Sequence, residues 1–352
     1  TAATVWGKAW PILFAILFFG IIIMVHELGH FSFAKLFKVR VNKFALGMGP
    51  ALLKKTKGET TYSLRLFPIG GYCAMEGEDE DSEDDRSFSR KPVWQRFIIV
   101  AAGAIINLLL GMVIIAVMLG QESLIGTNTI KSFTENSAAA QAGLMEGDKI
   151  ISINGKRVYS DFDISFLMMR DKDGVMDFGL KRSGEKITIS NAALQTVEEN
   201  GRTRIIYDFI IKGVKPSPLP VIKYSFLQTV SIGRMVWISL FDLVTGQFGF
   251  ADISGPIGVV GFIAQAAEQT KRTDLTPILS LMALISINIG IFNLLPIPAL
   301  DGGRLFFMLI EMIRRKPVPK KYESWIHAAG LILLLAFMAA ISLKDILFMF
   351  RG

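Results

Sequence analysis

Residues 26–30, HELGH, constrain this chain more than any other stretch, because they sit in a run from Trp10 to Ala34 in which Glu27 is the only Asp, Glu, Lys or Arg. Such a run is long enough to cross a hydrocarbon core of about 30 Å at about 1.5 Å per helical residue. An unpaired ionisable group in that setting costs several kcal/mol, so a carboxylate and two imidazoles held there have work to do. On a helix, His26 and His30 lie one turn apart on one face and can reach a single Zn²⁺. Glu27 projects beside them, placed to accept a proton from a zinc-activated water and pass it to a leaving amine.

Three further runs are almost free of charge: Phe97 to Gln121, Leu275 to Leu300 and Ser324 to Leu343. Together with 51% hydrophobic residues and a mean hydropathy of +0.44, they predict a polytopic α-helical membrane protein with four transmembrane helices. The first run lacks a small-residue cleavage site and is expected to remain as a span. The net charge of +7 does not point to nucleic acid, because the cations crowd beside apolar spans. Lys35, Lys38, Arg40, Lys43, Lys54, Lys55 and Lys57 follow the first, and Arg314, Arg315, Lys316, Lys320 and Lys321 precede the fourth. By the positive-inside rule both groups are cytoplasmic, which leaves segment 122–274 outside. The single cysteine, Cys73, excludes an internal disulfide and a cysteine-rich zinc set.

Between the spans, VNKFALGMGP (41–50) and TTYSLRLFPIGGYCAM (60–75) alternate apolar and polar residues between Gly and Pro, as β-hairpin strands do. Phe44, Leu46, Leu64, Leu66, Phe67 and Tyr72 are too apolar for a free cytosolic loop, so the hairpin is expected to dip into the membrane. The acidic run EGEDEDSEDDRS (76–87) reads as a solvated, mobile linker. In NSAAAQAGLMEGDKIISINGKRV (136–158), Asn154-Gly155 is a two-residue hairpin turn, and DFGLKRSGEKITIS predicts a second hairpin. From Val221 to Gly246 the apolar pattern is interrupted by Lys223, Arg234 and Asp242, which predicts an amphipathic interfacial helix rather than a span.

Two histidines do not complete a catalytic zinc site, which needs a third ligand and an open position. His327, the only other histidine, lies near the cytosolic start of the last span and reads as packed or interfacial. Asp301 is the better candidate. It ends the uncharged run from Leu275, with Pro296 and Pro298 breaking the helix before it and Gly302-Gly303 allowing a bend after it. His26 lies nine residues before Lys35, roughly 13 Å beneath the cytosolic boundary. The third span runs in the same direction, which brings Asp301 to a similar depth.

HExxH in the first span, FALGMGP and FPIGGYCAM after it, the A-G-L-x-x-G-D-x-I-x-x-I-N-G pattern, SGPIGVVG, and NLLPIPALDGG occur in that order over nearly the whole chain. The fourth pattern resembles a PDZ domain. The set resembles the site-2 protease family of intramembrane zinc metalloproteases, in the single-PDZ form of its RseP/RasP-type subgroup, which performs regulated intramembrane proteolysis. The resemblance implies one Zn²⁺ per chain held by His26, His30 and Asp301, with Glu27 as general base. It implies substrate contacts from Asn293, from Gly70 and Gly71 in the re-entrant β-hairpin, and from Pro296 and Pro298.

The expected organisation is a first span at 6–37, the re-entrant region at 38–75, the acidic linker at 76–93 and a second span at 94–121. An extracytoplasmic PDZ domain at 126–213 follows, then interfacial helices at 219–270, a broken third span at 275–314 and a fourth span at 322–350. The expected setting is the bacterial cytoplasmic membrane, with the active site toward the cytosol. Expected partners are the lipid bilayer, single-span membrane substrates such as anti-sigma factors or remnant signal peptides, and a peptide or substrate ectodomain at the PDZ domain. Two other readings use the same residues: a PDZ-containing membrane scaffold or receptor with a structural zinc, and a metal transporter. A scaffold does not need Glu27 beside the metal, and a transporter spreads its polar residues across all its spans.

Overall fold

A computed structural model describes residues 2–78, 80, 82–171, 173–199, 202–246, 255–269 and 274–351. The stretch 247–254, including the Ser254 that opens SGPIG, lies outside the described residues. In chain order the elements are α1 (Ala2–Leu36), β1 (Val41–Lys57), β2 (Thr60–Met75), a 3₁₀ turn at Phe88–Arg90 and α2 (Val93–Gln121). Next come β3 (Ile125–Phe133), α3 (Ala138–Gln141), β4 (Lys149–Ile153), β5 (Lys156–Arg157) and α4 (Asp161–Met169). They are followed by β6 (Val175–Arg182), β7 (Glu185–Ala193), β8 (Thr196–Glu199), β9 (Arg202–Ile205) and β10 (Phe209–Val214). The chain closes with α5 (Pro218–Val244), α6 (Pro256–Gln269), α7 (Thr276–Phe292), α8 (Asp301–Arg314) and α9 (Lys320–Arg351).

Among the described residues three helices are long and apolar enough to cross a membrane: Phe14–Leu36 within α1, Val93–Gln121, and Lys320–Leu347 within α9. Four spans were expected, the third of them a broken helix. The run from Leu275 to Leu300 yields only the 17-residue α7, which ends where Asn293 caps it. The prolines at 296 and 298 deny the next turn its N–H donors, and Ala299 adopts a left-handed backbone at φ 75°. The chain becomes helical again only at Asp301.

The chain divides into two compact units, Thr1–Ile114 with Val236–Gly352, and Ile115–Met235. In the first unit β1 and β2 form one long antiparallel hairpin, from Val41 opposite Met75 to Lys57 opposite Thr60, with repeated register shifts in between. Gly47 and Gly49 sit in the left-handed region within those irregularities, which bend the ribbon. Beyond the base of the hairpin its apolar side chains are uncovered: Met48, Leu52, Leu53, Leu66 and Phe67 are exposed. The base is buried, with Val41, Cys73 and Met75 packed among Ala34, Phe88, Val100, Leu305 and Met308.

The acidic run is not a free linker. Glu76 accepts from Asn42 Nδ2 at 2.7 Å and from Ser82 Oγ at 2.6 Å, and Arg40 pairs with Asp84 at 3.2 Å. Ser87 is fully buried, and Glu78 pairs with Arg304 of α8. The expectation failed because composition reports charge but not the cations and amides folded opposite it.

The second unit carries a six-stranded sheet in the order β10-β3-β4-β6-β7, with β5 paired to β4. Asn154 (φ 47°) and Gly155 (φ 73°) make the turn from β4 to β5. The strands cover a core of Ile130, Ile150, Ile153, Ile164, Met168, Phe178 and Leu180. Asp148 is wholly buried beside it, held by Arg182 through Nε at 2.8 Å and Nη2 at 2.7 Å and by the Met145 N–H at 2.9 Å. Burial opposes its ionisation, but these donors outweigh burial and hold the carboxyl below the usual carboxylate range. Arg234 of α5 lies 3.6 Å from Asp163, donates to the Arg157 carbonyl at 2.8 Å and stacks over Tyr159. That accounts for a cation in the middle of an apolar helix.

Candidate metal centre

Three side chains from distant parts of the first unit converge. His26 Nε2 and His30 Nε2 are 3.2 Å apart, and Asp301 Oδ2 lies 3.1 Å from the first and 3.3 Å from the second. The helical repeat of α1 supplies the histidine pair, and the break between α7 and α8 brings Asp301 to them as the first residue of α8. A carboxylate there also gains from the positive end of the helix dipole.

The triangle fits a metal ion. Zinc–ligand bonds of about 2.0–2.1 Å in a tetrahedron give ligand–ligand edges of about 3.3 Å, close to the observed sides. His30 Nδ1 lies 2.9 Å from the Ile99 carbonyl and donates to it, which leaves Nε2 as a lone pair. Among the described residues Asp301 Oδ2 is buried with no neighbour in hydrogen-bonding range beyond the two imidazole nitrogens, as expected for an oxygen aimed at a cation. Three lone-pair atoms repel one another at this spacing unless a positive charge lies among them.

Two residues of α2 complete the surroundings. Asn107 is fully buried, with Nδ2 3.4 Å from His26 Nδ1 and Oδ1 unpartnered. Turning its amide over puts Oδ1 where it accepts the Nδ1–H of His26, so both histidines present Nε2 to the same point. Gly103 faces the rings directly. A methyl group there would meet His30 Nε2, and would lie 2.6 Å from His30 Cε1 and 2.8 Å from His26 Cε1.

Glu27 is half-buried and backed by the hairpin, since a methyl group on Gly71 would sit 3.1 Å from its Cγ. Gly70, left-handed at φ 81°, faces Met48. Asn293 caps α7 and donates Nδ2 to the Ile289 carbonyl at 3.0 Å. Pro296 is exposed, whereas Pro298 lies against Gly330 of α9. His327 is not in the triangle. Its Nδ1 accepts the Ala299 N–H at 2.9 Å, which holds the strained residue two positions before Asp301.

Sequence reasoning missed Gly103, Asn107 and the part His327 plays. Asn107 had left a signal, as a carboxamide in the middle of an otherwise apolar span.

The family model of Peptidase family M50 matches residues 14–337. A Clostridium perfringens protein named as a candidate zinc metalloprotease is 36% identical over 338 residues, covering 96% of this chain and 98% of that protein. The regulator of sigma-W protease RasP of Bacillus subtilis is 31% identical over 417 aligned positions, covering 94% and 97%. The zinc metalloprotease RasP of Bacillus licheniformis is 30% identical with the same coverage.

Proposed function

Because this chain belongs to peptidase family M50 and is a membrane zinc metalloprotease, we propose that it cuts single-span membrane proteins within the bilayer by site-2 protease chemistry. The observation that carries the reading is the triangle of His26, His30 and Asp301 at 3.1–3.3 Å, with Glu27 one residue from its first corner. When bound there, zinc supplies Lewis-acid activation of water and of the scissile carbonyl. Glu27 accepts the proton of the attacking water and returns it to the departing amide nitrogen. Asn293 steadies the substrate carbonyl.

A peptide bond inside a helix is shielded by its own hydrogen bonds. Among the described residues the β1–β2 hairpin forms a two-stranded sheet with unpaired edges, and a substrate stretched along one of them exposes its backbone for attack. Gly71 of the hairpin lies against Ile23 and Glu27 of α1, which supports this reading. The uncovered Leu66, Phe67 and Met48 suit a hairpin immersed in lipid rather than water.

The second unit is a PDZ domain facing outside the cytoplasmic membrane, and it admits substrates already shortened on that side. Support comes from its Asn154-Gly155 turn, its antiparallel sheet and the nine-residue α4 beside β3. The relative from B. subtilis is named regulator of sigma-W protease, which makes an anti-sigma factor the first substrate class to try. In the decisive experiment, Glu27→Gln retains one zinc per chain and stops cleavage of a reporter transmembrane segment. Wild-type cleavage by that variant would reject the mechanism.

A further inference from the structure

The second unit holds a cavity of about 510 Å³ whose only charged lining residues are cations: Lys149, Arg157, Lys186 and Lys223. None of the four side chains has an acidic partner among the described residues, and Lys223 instead lies over the Tyr224 ring at 5.2 Å. The sheet concentrates the charge further. Lys149 of β4 is directly opposite Lys181 of β6, which is directly opposite Lys186 of β7. Like charges facing each other across strands destabilise a sheet, so a row of three lysines without counter-charges is a cost borne for something outside the chain.

The surroundings say what kind of anion fits. The unit begins at the last turns of the membrane-spanning α2, and β3 starts four residues after Gln121. Ile115, Met118 and Leu119 of α2 share a second cavity with Tyr224, and Tyr224 also lines the cationic one. The basic cavity is therefore one side chain away from the end of a bilayer-crossing helix. On α5, Leu219, Ile222 and Phe226 are exposed at 76%, 58% and 56%, an apolar row at helical spacing beside Lys223. A soluble anion has no use for that row, whereas a phospholipid brings a phosphate for the cations and acyl chains for the apolar residues.

We propose that this cavity binds the phosphate of an anionic phospholipid headgroup, with Lys149, Arg157, Lys186 and Lys223 as the cationic cradle and Leu219, Ile222 and Phe226 along the acyl chains. The site does not depend on the peptidase chemistry. It tethers the second unit to the membrane surface and makes its hold sensitive to lipid charge.

The test uses the full chain in neutral detergent, titrated with short-chain phosphatidylglycerol while ³¹P line broadening is followed. Wild type should bind phosphatidylglycerol well below the concentration needed for phosphatidylcholine. At about fivefold per cation near a surface, Lys149→Gln/Lys186→Gln/Lys223→Gln should weaken binding on the order of a hundredfold. The corresponding Lys→Arg triple should retain the affinity, and the single Lys186→Gln should lose about fivefold, which keeps the test valid if the glutamine triple misfolds. Unchanged affinity in the glutamine variants, or equal binding of phosphatidylcholine, would overturn the proposal. So would displacement of the lipid by inorganic phosphate at equal concentration, which would mark a free-anion site. Displacement by hexaglutamate at lower concentration would mark an acidic-peptide site instead.

Discussion

Replacing Gly103 with alanine sets helix propensity against the metal centre. In an apolar helix interior Gly→Ala ordinarily stabilises by about 1 kcal/mol, so on local grounds α2 should gain from the change. The new methyl carbon, however, would lie 2.6 Å from His30 Cε1 and 2.8 Å from His26 Cε1, where carbon atoms rest at about 3.5–4.0 Å. The rings must retreat by about 1 Å. They cannot do so freely, because His30 is pinned to the Ile99 carbonyl at 2.9 Å and Asn107 stands behind His26. We expect zinc affinity to fall about 10- to 100-fold, as when an outer partner of a ligand is lost, and cleavage to fall by about 100-fold or more. The assay is zinc per chain by elemental analysis after chelator competition, alongside cleavage of a membrane reporter. Gly20→Ala on α1 is the control, since nothing lies within 4 Å of a methyl group there. Full zinc occupancy and wild-type cleavage by Gly103→Ala would refute the packing argument.

Asn107→Ala should lower zinc affinity by about 10- to 100-fold with the fold intact, measured by chelator competition; Asn107→Asp should recover part of it by accepting from His26 Nδ1. In the second unit, the folded carboxyl of Asp148 titrates below its unfolded value of about 3.9, so its contribution is complete above that pH and is lost as pH falls through the folded value. Calorimetry of the full chain should show Asp148→Asn less stable by about 3 kcal/mol at neutral pH, with a gap from wild type that narrows below about pH 4. Arg304→Ala should remove the Arg304–Glu78 pair and increase proteolytic cutting between residues 76 and 90, with the fragments identified by mass spectrometry.

Local signals were legible wherever a few neighbouring residues carried the physics. Asn154-Gly155 needs left-handed backbone at both positions and forms the turn between β4 and β5. The helical repeat places His26 and His30 together whatever surrounds them, and Pro296 with Pro298 ends α7 before Asp301. The acidic run was misread by the same local logic, because its charge pattern says nothing of Asn42, Arg40 or Arg304 folded against it.

Sequence alone therefore determined the pair of imidazoles, the carboxylate between them and the need for a third ligand, because uncompensated ionisable groups in an apolar run have so few physical explanations. Only the tertiary structure decided that Gly103 leaves room for the rings, that Asn107 orients one of them and that His327 supports the bend before Asp301. These contacts join α1, α2, the loop after α7, and α9. A side chain's fit against a residue dozens of positions away depends on helix packing, which no local spacing encodes.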